Sequence, residues 1–163
     1  MSPVTVRRYT VANADAMREL GALLGRTCQA GDVMVLTGDL GAGKTTFTQG
    51  LGVGLGIEEA ITSPTFVIAR VHPSTGVGPD LVHVDAYRLG SAVELDELDL
   101  VADLSSSVVV VEWGGGLVGG LAESPIDVSI VRSDDDEDET RIVTVTVTGE
   151  RWDAALVQGD PLT

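Results

Sequence analysis

A glycine-rich octad, Gly38-Asp39-Leu40-Gly41-Ala42-Gly43-Lys44-Thr45, constrains this chain more than anything else in it. Gly, four residues, then Gly-Lys-Ser/Thr is the pattern of a loop whose backbone N–H groups curl around phosphate oxygens, and it has meaning only between a strand and a helix. Both flanks are present. Val33 to Leu36 is a short continuous apolar run, as expected of a strand buried on both faces. Behind the loop, Phe47, Leu51 and Leu55 recur at helical spacing from a start at Lys44. Strand, glycine loop and helix in that order predict an α/β domain built around a phosphate-binding loop.

The residue types explain the chemistry. Glycines let the backbone approach phosphate, the helix start adds its dipole, Lys44 is a point charge for the outer phosphates and the Thr45 hydroxyl can ligate Mg²⁺. The expected nucleotide contacts are therefore Gly38, Asp39, Leu40, Gly41, Ala42, Gly43, Lys44, Thr45 and Thr46. ATP is expected rather than GTP. The familiar guanine-reading motif needs Lys two residues before Asp, and the only Lys in the chain, Lys44, is followed by Thr45 and Thr46.

The rest of the chain reads as one domain over its 163 residues. Val4 to Arg8 suits an opening strand, and Ala14 to Gln29 a helix capped by Asn13, with Met17, Leu20 and Leu24 inward. Gly50, Gly52, Gly54 and Gly56 are expected to stop or loosen the helix after the loop. Val67 to Val71 and Leu81 to Asp85 read as antiparallel strands joined by a Pro- and Gly-rich hairpin loop. Ser91 to Leu104 follows as an acidic, helix-like stretch, then the apolar strand Val108 to Val111. Asp127 to Val131 pairs naturally with the alternating Val143, Val145 and Val147. Between them the six consecutive acids Asp134 to Glu139 predict a solvated loop. A tail over 150–163 allows a last short helix at Trp152 to Val157.

Charge and cysteine content narrow the partners. Ten Lys and Arg against 25 Asp and Glu give a net charge of −15 with no basic patch, which argues against direct nucleic-acid binding. Cys28 is the single cysteine, so no internal disulfide forms and a reducing cytoplasm is the expected location. The twin Arg7-Arg8 is followed by polar residues rather than an apolar core, unlike a signal peptide, and no apolar run is long enough to span a membrane.

Two apolar strands end in acids, Leu81-Val82-His83-Val84-Asp85 and Val108-Val109-Val110-Val111-Glu112. In an open α/β sheet, residues just past the carboxyl ends of strands line the ligand crevice, so Asp85 and Glu112 are candidates for Mg²⁺ and for the attacking water. Spacing leaves open which does which. Thr65, in Thr62-Ser63-Pro64-Thr65, stands where nucleotide switches place a threonine. Arg88 and Arg141 are candidate cations for phosphate charge. His83 reads as a packed core residue and His72 as loop surface.

Taken together, Gly38 to Thr46, Ser63-Pro64-Thr65-Phe66, His83-Val84-Asp85-Ala86-Tyr87-Arg88-Leu89 and Val111-Glu112-Trp113 resemble, in order and spacing, the TsaE (YjeE) family. These are small bacterial ATPases of tRNA N6-threonylcarbamoyladenosine (t6A) synthesis. The resemblance implies a P-loop NTPase fold, a single domain with a mixed sheet flanked by helices, together with weak Mg²⁺-dependent ATP hydrolysis and work in a complex with TsaB and TsaD, which would handle the tRNA. It also implies Thr45 and Glu112 on Mg²⁺, Thr65 as switch threonine, Asp85 as Walker B acid, Trp113 beside the site and Arg141 at the nucleotide. One departure is Gly114-Gly115-Gly116, where family members often have Pro after Glu-Trp. Two other classes remain open on the residues alone. A small-molecule kinase would need an Arg-bearing lid, yet Ser91 to Ser107 holds no cation. A non-hydrolysing, ATP-dependent interaction module fits the same loop.

Overall fold

The hydrophobic pattern produces an eight-stranded sheet whose centre is parallel and whose flanks are antiparallel. The computed structural model describes residues 3–39, 41–58, 61, 69–85, 105–112, 124–135, 137–156 and 160–161. Strand β1 spans Val4–Val11, β2 Val33–Gly38, β3 Ala69–His72, β4 Asp80–Asp85, β5 Ser107–Glu112, β6 Ile126–Arg132, β7 Arg141–Thr148 and β8 Asp160–Pro161. Helices α1 (Ala14–Thr27), α2 (Lys44–Leu55) and α3 (Arg151–Ala155) complete the described elements. The strand order is β3-β4-β5-β2-β6-β7-β1-β8. Pairs β4–β5, β5–β2 and β2–β6 are parallel, and the pairs outside them antiparallel.

This arrangement follows from the residues. Val108, Val109, Val110 and Val111 are all fully buried because β5 lies inside the sheet with both faces covered, which a continuous apolar run requires. At the antiparallel flank the pattern changes to alternation: Val143, Val145 and Val147 are buried, and Thr144, Thr146 and Thr148 only partly so. Helix α1 begins where Asn13 Oδ1 accepts the Ala16 N–H at 2.9 Å. It ends at Thr27, two residues before the expected Gln29, because Cys28 turns to extended backbone (ψ 147°). Burial pushes the Cys28 thiol up to about 12, which leaves it unreactive.

Two expectations are corrected. Gly50, Gly52 and Gly54 do not stop α2, which runs through them to Leu55 and ends on Gly56, whose φ of 85° makes it a left-handed cap. The helix tolerates the glycines because α1 packs on its backbone at Gly50 and Gly54 and the Ile61 side chain fills the space at Gly52. His72 is not loop surface but fully buried on β3, where it pairs in register with Leu81. The expected acidic stretch at 91–104 lies outside the described residues.

Helix α3 is pinned to the far end of β2. Arg151 donates Nη1 to Asp32 Oδ2 at 2.8 Å, Nη2 to Asp32 Oδ1 at 2.5 Å, and Nη1 also to the Thr27 carbonyl at 3.1 Å. Its guanidinium lies 4.7 Å from the centre of the Trp152 ring. The buried Trp152 and Leu156 thereby close the core.

Candidate functional site

The carboxyl ends of the parallel strands gather the candidate residues at one edge of the sheet. Strand β2 ends at Gly38, and the loop turns back through Gly41 (φ 80°) and Gly43 (φ 113°), left-handed conformations that favour glycine. Gly43 caps α2 without a side chain. The first N–H groups of α2 therefore meet no capping side chain, which is the arrangement that accepts an anion.

Lys44 sits over this loop. Its Nζ donates to the Gly38 carbonyl at 2.5 Å and to the Asp39 carbonyl at 3.1 Å. Burial pushes its pKa below the ordinary lysine value, while the charges of Glu112, Asp39 and Asp85 pull it back up. Those three acids are near enough to act on the ammonium although they come from three different segments. Thr45 and Thr46 follow in the first turn of α2, half-buried.

Asp85 and Glu112 are register partners at the ends of β4 and β5, and Glu112 is also paired with Leu36 on β2. The strand-end reading thus brings both acids to one place beside the loop. Glu112 is 5% exposed, and its Oε1 lies 3.2 Å from Nε2 of the fully buried His83. That contact is at ion-pair distance but off hydrogen-bonding alignment, so among the described residues Oε1 and both imidazole nitrogens have no hydrogen-bond partner.

Arg141 reaches the loop from the start of β7. Its Nε donates to the Ala42 carbonyl at 3.1 Å and its Nη2 approaches the Gly41 carbonyl at 3.5 Å. Nη1 donates to the carbonyls of Asp138 and Thr140 at 3.0 and 3.1 Å. One guanidinium thus ties the loop to the acidic connection. Within that connection Asp138 accepts the Thr140 N–H at 2.9 Å, a bond that lowers the Asp138 carboxyl below its ordinary range. A cleft of about 150 Å³ opens on this side, lined by Asn13, Met17, Gly43, Thr46, Glu139 and Arg141 among others.

Arg132 was not among the residues picked from sequence. It pairs in register with Arg141 across β6 and β7, and its Nη1 would lie 3.3 Å from a Cβ on Gly41. The hairpin register was the signal that could have found it, since Arg132 opens the turn that Arg141 closes. Leu40, Thr65, Arg88 and Trp113 lie outside the described residues.

A family model described as "Threonylcarbamoyl adenosine biosynthesis protein TsaE" matches residues 11–143. A protein named tRNA threonylcarbamoyladenosine biosynthesis protein TsaE from Streptomyces coelicolor is 60% identical over 143 residues, 86% of this chain and 97% of its own. Its namesake in Bacillus subtilis is 36% identical over 146 residues, 90% of this chain and 89% of its own. The crystal structure of Bacillus subtilis YdiB superposes with a TM-score of 0.72 at 32% identity, covering 97% of this chain and 96% of that one.

Proposed function

The chain belongs to the TsaE family of threonylcarbamoyladenosine biosynthesis proteins, and from that premise we propose that it is a cytoplasmic, Mg²⁺-dependent ATPase of the t6A system. In this reading it hydrolyses ATP slowly to drive or reset a complex with TsaB- and TsaD-type proteins. The net charge of −15 supports contact with tRNA only through those partners. The observation that carries the reading is the meeting of one lysine and two strand-end carboxylates at the mouth of a glycine loop: the charges of Glu112, Asp39 and Asp85 all act on Lys44.

The donors suit Mg²⁺. Among the described residues no three His, Cys, Asp or Glu side chains gather as a metal cage, and Mg²⁺ does not call for one, since it is usually held by one or two carboxylates plus substrate phosphates. Glu112 brings a buried carboxylate to the end of β5, and Asp85, its register partner, and Thr45 in the first turn of α2 supply further oxygens beside the loop. Bound there with ATP, the ion would neutralise charge developing on the terminal phosphoryl group.

The chain's own residues do the rest. Lys44 exchanges the carbonyls of Gly38 and Asp39 for the outer phosphate oxygens, keeping two or more charge-assisted hydrogen bonds throughout. The loop N–H groups hold the phosphates, and Arg141 keeps the Ala42 carbonyl turned away from them. Whichever of Asp85 and Glu112 is not on the metal orients the attacking water.

ATP turnover by the purified chain, alone and with TsaB- and TsaD-type proteins, tests the reading, with Lys44→Ala as control. A slow, Lys44-dependent rate that changes when the partners are added is the expected result. Tight ATP binding without turnover under every condition would mean an interaction module, and phosphate appearing on a small acceptor would mean a kinase.

A further inference from the structure

We propose that His83 is a positioning residue for Glu112, holding one carboxylate oxygen so that the other faces the phosphate site. The proposal rests on the ATPase reading and adds a role for a side chain that the phosphate loop, the metal ligands and the water contact leave unused. His83 is fully buried on β4, two residues before Asp85, and Glu112 ends the neighbouring β5. Their closest approach is Nε2 to Oε1, 3.2 Å.

Among the described residues three buried polar atoms here have no hydrogen bond: Nδ1 and Nε2 of His83, and Oε1 of Glu112. Leaving such an atom unpaired in the interior costs its full desolvation penalty, so a histidine that only filled core volume would be replaced by an apolar side chain at a gain. Two of the three, Nε2 and Oε1, already lie 3.2 Å apart. A carboxylate is an acceptor with no proton to give, and a neutral imidazole with its hydrogen on Nε2 is a donor. A small rotation about the terminal torsions of Glu112, which are broad and soft, aligns the pair. Oε1 is then fixed, and Oε2 has one preferred direction. A carboxylate that must ligate an ion or align water gains from such an outer partner, as ligands of metal sites generally do.

The test compares His83→Leu, His83→Gln and His83→Asn with the full-length protein. Two readouts are taken: turnover at varied ATP, and the Mg²⁺ concentration that half-saturates its effect on binding of a ribose-labelled fluorescent ATP analogue. For His83→Leu, kcat is expected to fall by about 10- to 100-fold and the Mg²⁺ midpoint to rise by about 10-fold, the range found for outer partners of metal ligands. KM for ATP should stay within about threefold, because the phosphate loop is untouched. A glutamine amide reaches the Nε2 position and should restore both values; an asparagine amide reaches only Nδ1 and should not.

Combined with Glu112→Ala, His83→Leu should add nothing further. Equal Mg²⁺ midpoints in wild type and His83→Leu, or losses that multiply in the double variant, would overturn the positioning role. Should His83→Leu lose its melting transition, the glutamine and asparagine variants decide, and equal values for those two would overturn it. A wild type that binds ATP without turnover defeats the ATPase reading instead, and the Mg²⁺ midpoints in binding still decide the role of His83.

Discussion

Gly50, in the helix that follows the phosphate loop, lies directly on the backbone of Arg18 in α1: a Cβ at Gly50 would overlap the Arg18 carbonyl oxygen. The relation is reciprocal along the whole crossing. A Cβ on Gly21 would overlap the Phe47 carbonyl oxygen, one on Gly25 that of Leu51, and one on Gly54 that of Ala22. Each helix contributes two glycines four residues apart, which share one stripe of its surface. The loop N–H groups are therefore mounted on two helices in backbone contact.

Gly50→Ala sets helix propensity against this contact. Alanine favours the helical state by roughly 0.5–1 kcal/mol, yet forcing a methyl between two backbones typically costs about 1–3 kcal/mol. A net loss is expected, seen as a lower Tm together with weaker ATP binding. Gly76→Ala is the control: nothing lies within 4 Å of a Cβ there. Its Tm should stay within about 1 °C of wild type.

Lys44 makes ATP affinity depend on alkaline pH. Its pKa is lowered by burial, so while charged in the folded protein it costs stability, and that cost is relieved as pH rises through the folded value. Affinity moves the opposite way. Phosphate attracts the ammonium, so ATP binding should weaken as pH rises through that same value, which lies below that of an ordinary lysine. Isothermal titration over a series of alkaline pH values reads this directly. Lys44→Ala should bind ATP about 10- to 100-fold more weakly, the loss of one or two charge-assisted hydrogen bonds, with a flat profile in that range.

Arg141→Ala removes the ties to Ala42 and Gly41 together with those to Asp138 and Thr140. All four of these bonds are exposed or half-buried, so the Tm should fall by only a few degrees. The loop loses its brace, and ATP affinity should drop by about 30-fold, at roughly 1 kcal/mol for each of the two bonds to the loop. Fluorescence titration against Arg141→Lys separates shape from charge. Lysine keeps the charge without the planar fork and should recover little.

Arg151→Ala should do the reverse. Its bonds to Asp32 and Thr27 sit at the opposite end of β2 from the loop. Losing a two-bonded, partly buried pair costs about 2 kcal/mol, a Tm drop of roughly 4–8 °C for a chain this long. ATP affinity should stay within about twofold, since the two sites share no partner.

The parallel centre of the sheet was legible because both-face burial leaves a continuous apolar run, and Val33 to Leu36 and Val108 to Val111 show it. Strand ends were legible because each apolar run gives way to a polar residue, Thr37 after Leu36 and Glu112 after Val111. The α1–α2 contact was not. Glycine breaks isolated helices, and only a partner helix packed on it reverses the sign, so the run from Gly50 to Gly56 read as a stop. His72 was misplaced because the Pro and Gly residues after it begin the loop one position later. The closeness of His83 to Glu112 depends on register between two parallel strands far apart in sequence, which local spacing does not encode.

Lys44 is the one ε-amine among these 163 residues, and it is half-sheltered under two carbonyls of the loop it serves. Amine-directed acylation of a lysine side chain therefore has a single address in this molecule, and that address is the phosphate site. Any enzyme or reagent that acylates this side chain would silence nucleotide binding in the same event, and bound ATP would shield it. The extent of ε-acylation in a sample is then a direct count of the molecules whose phosphate loop stood empty.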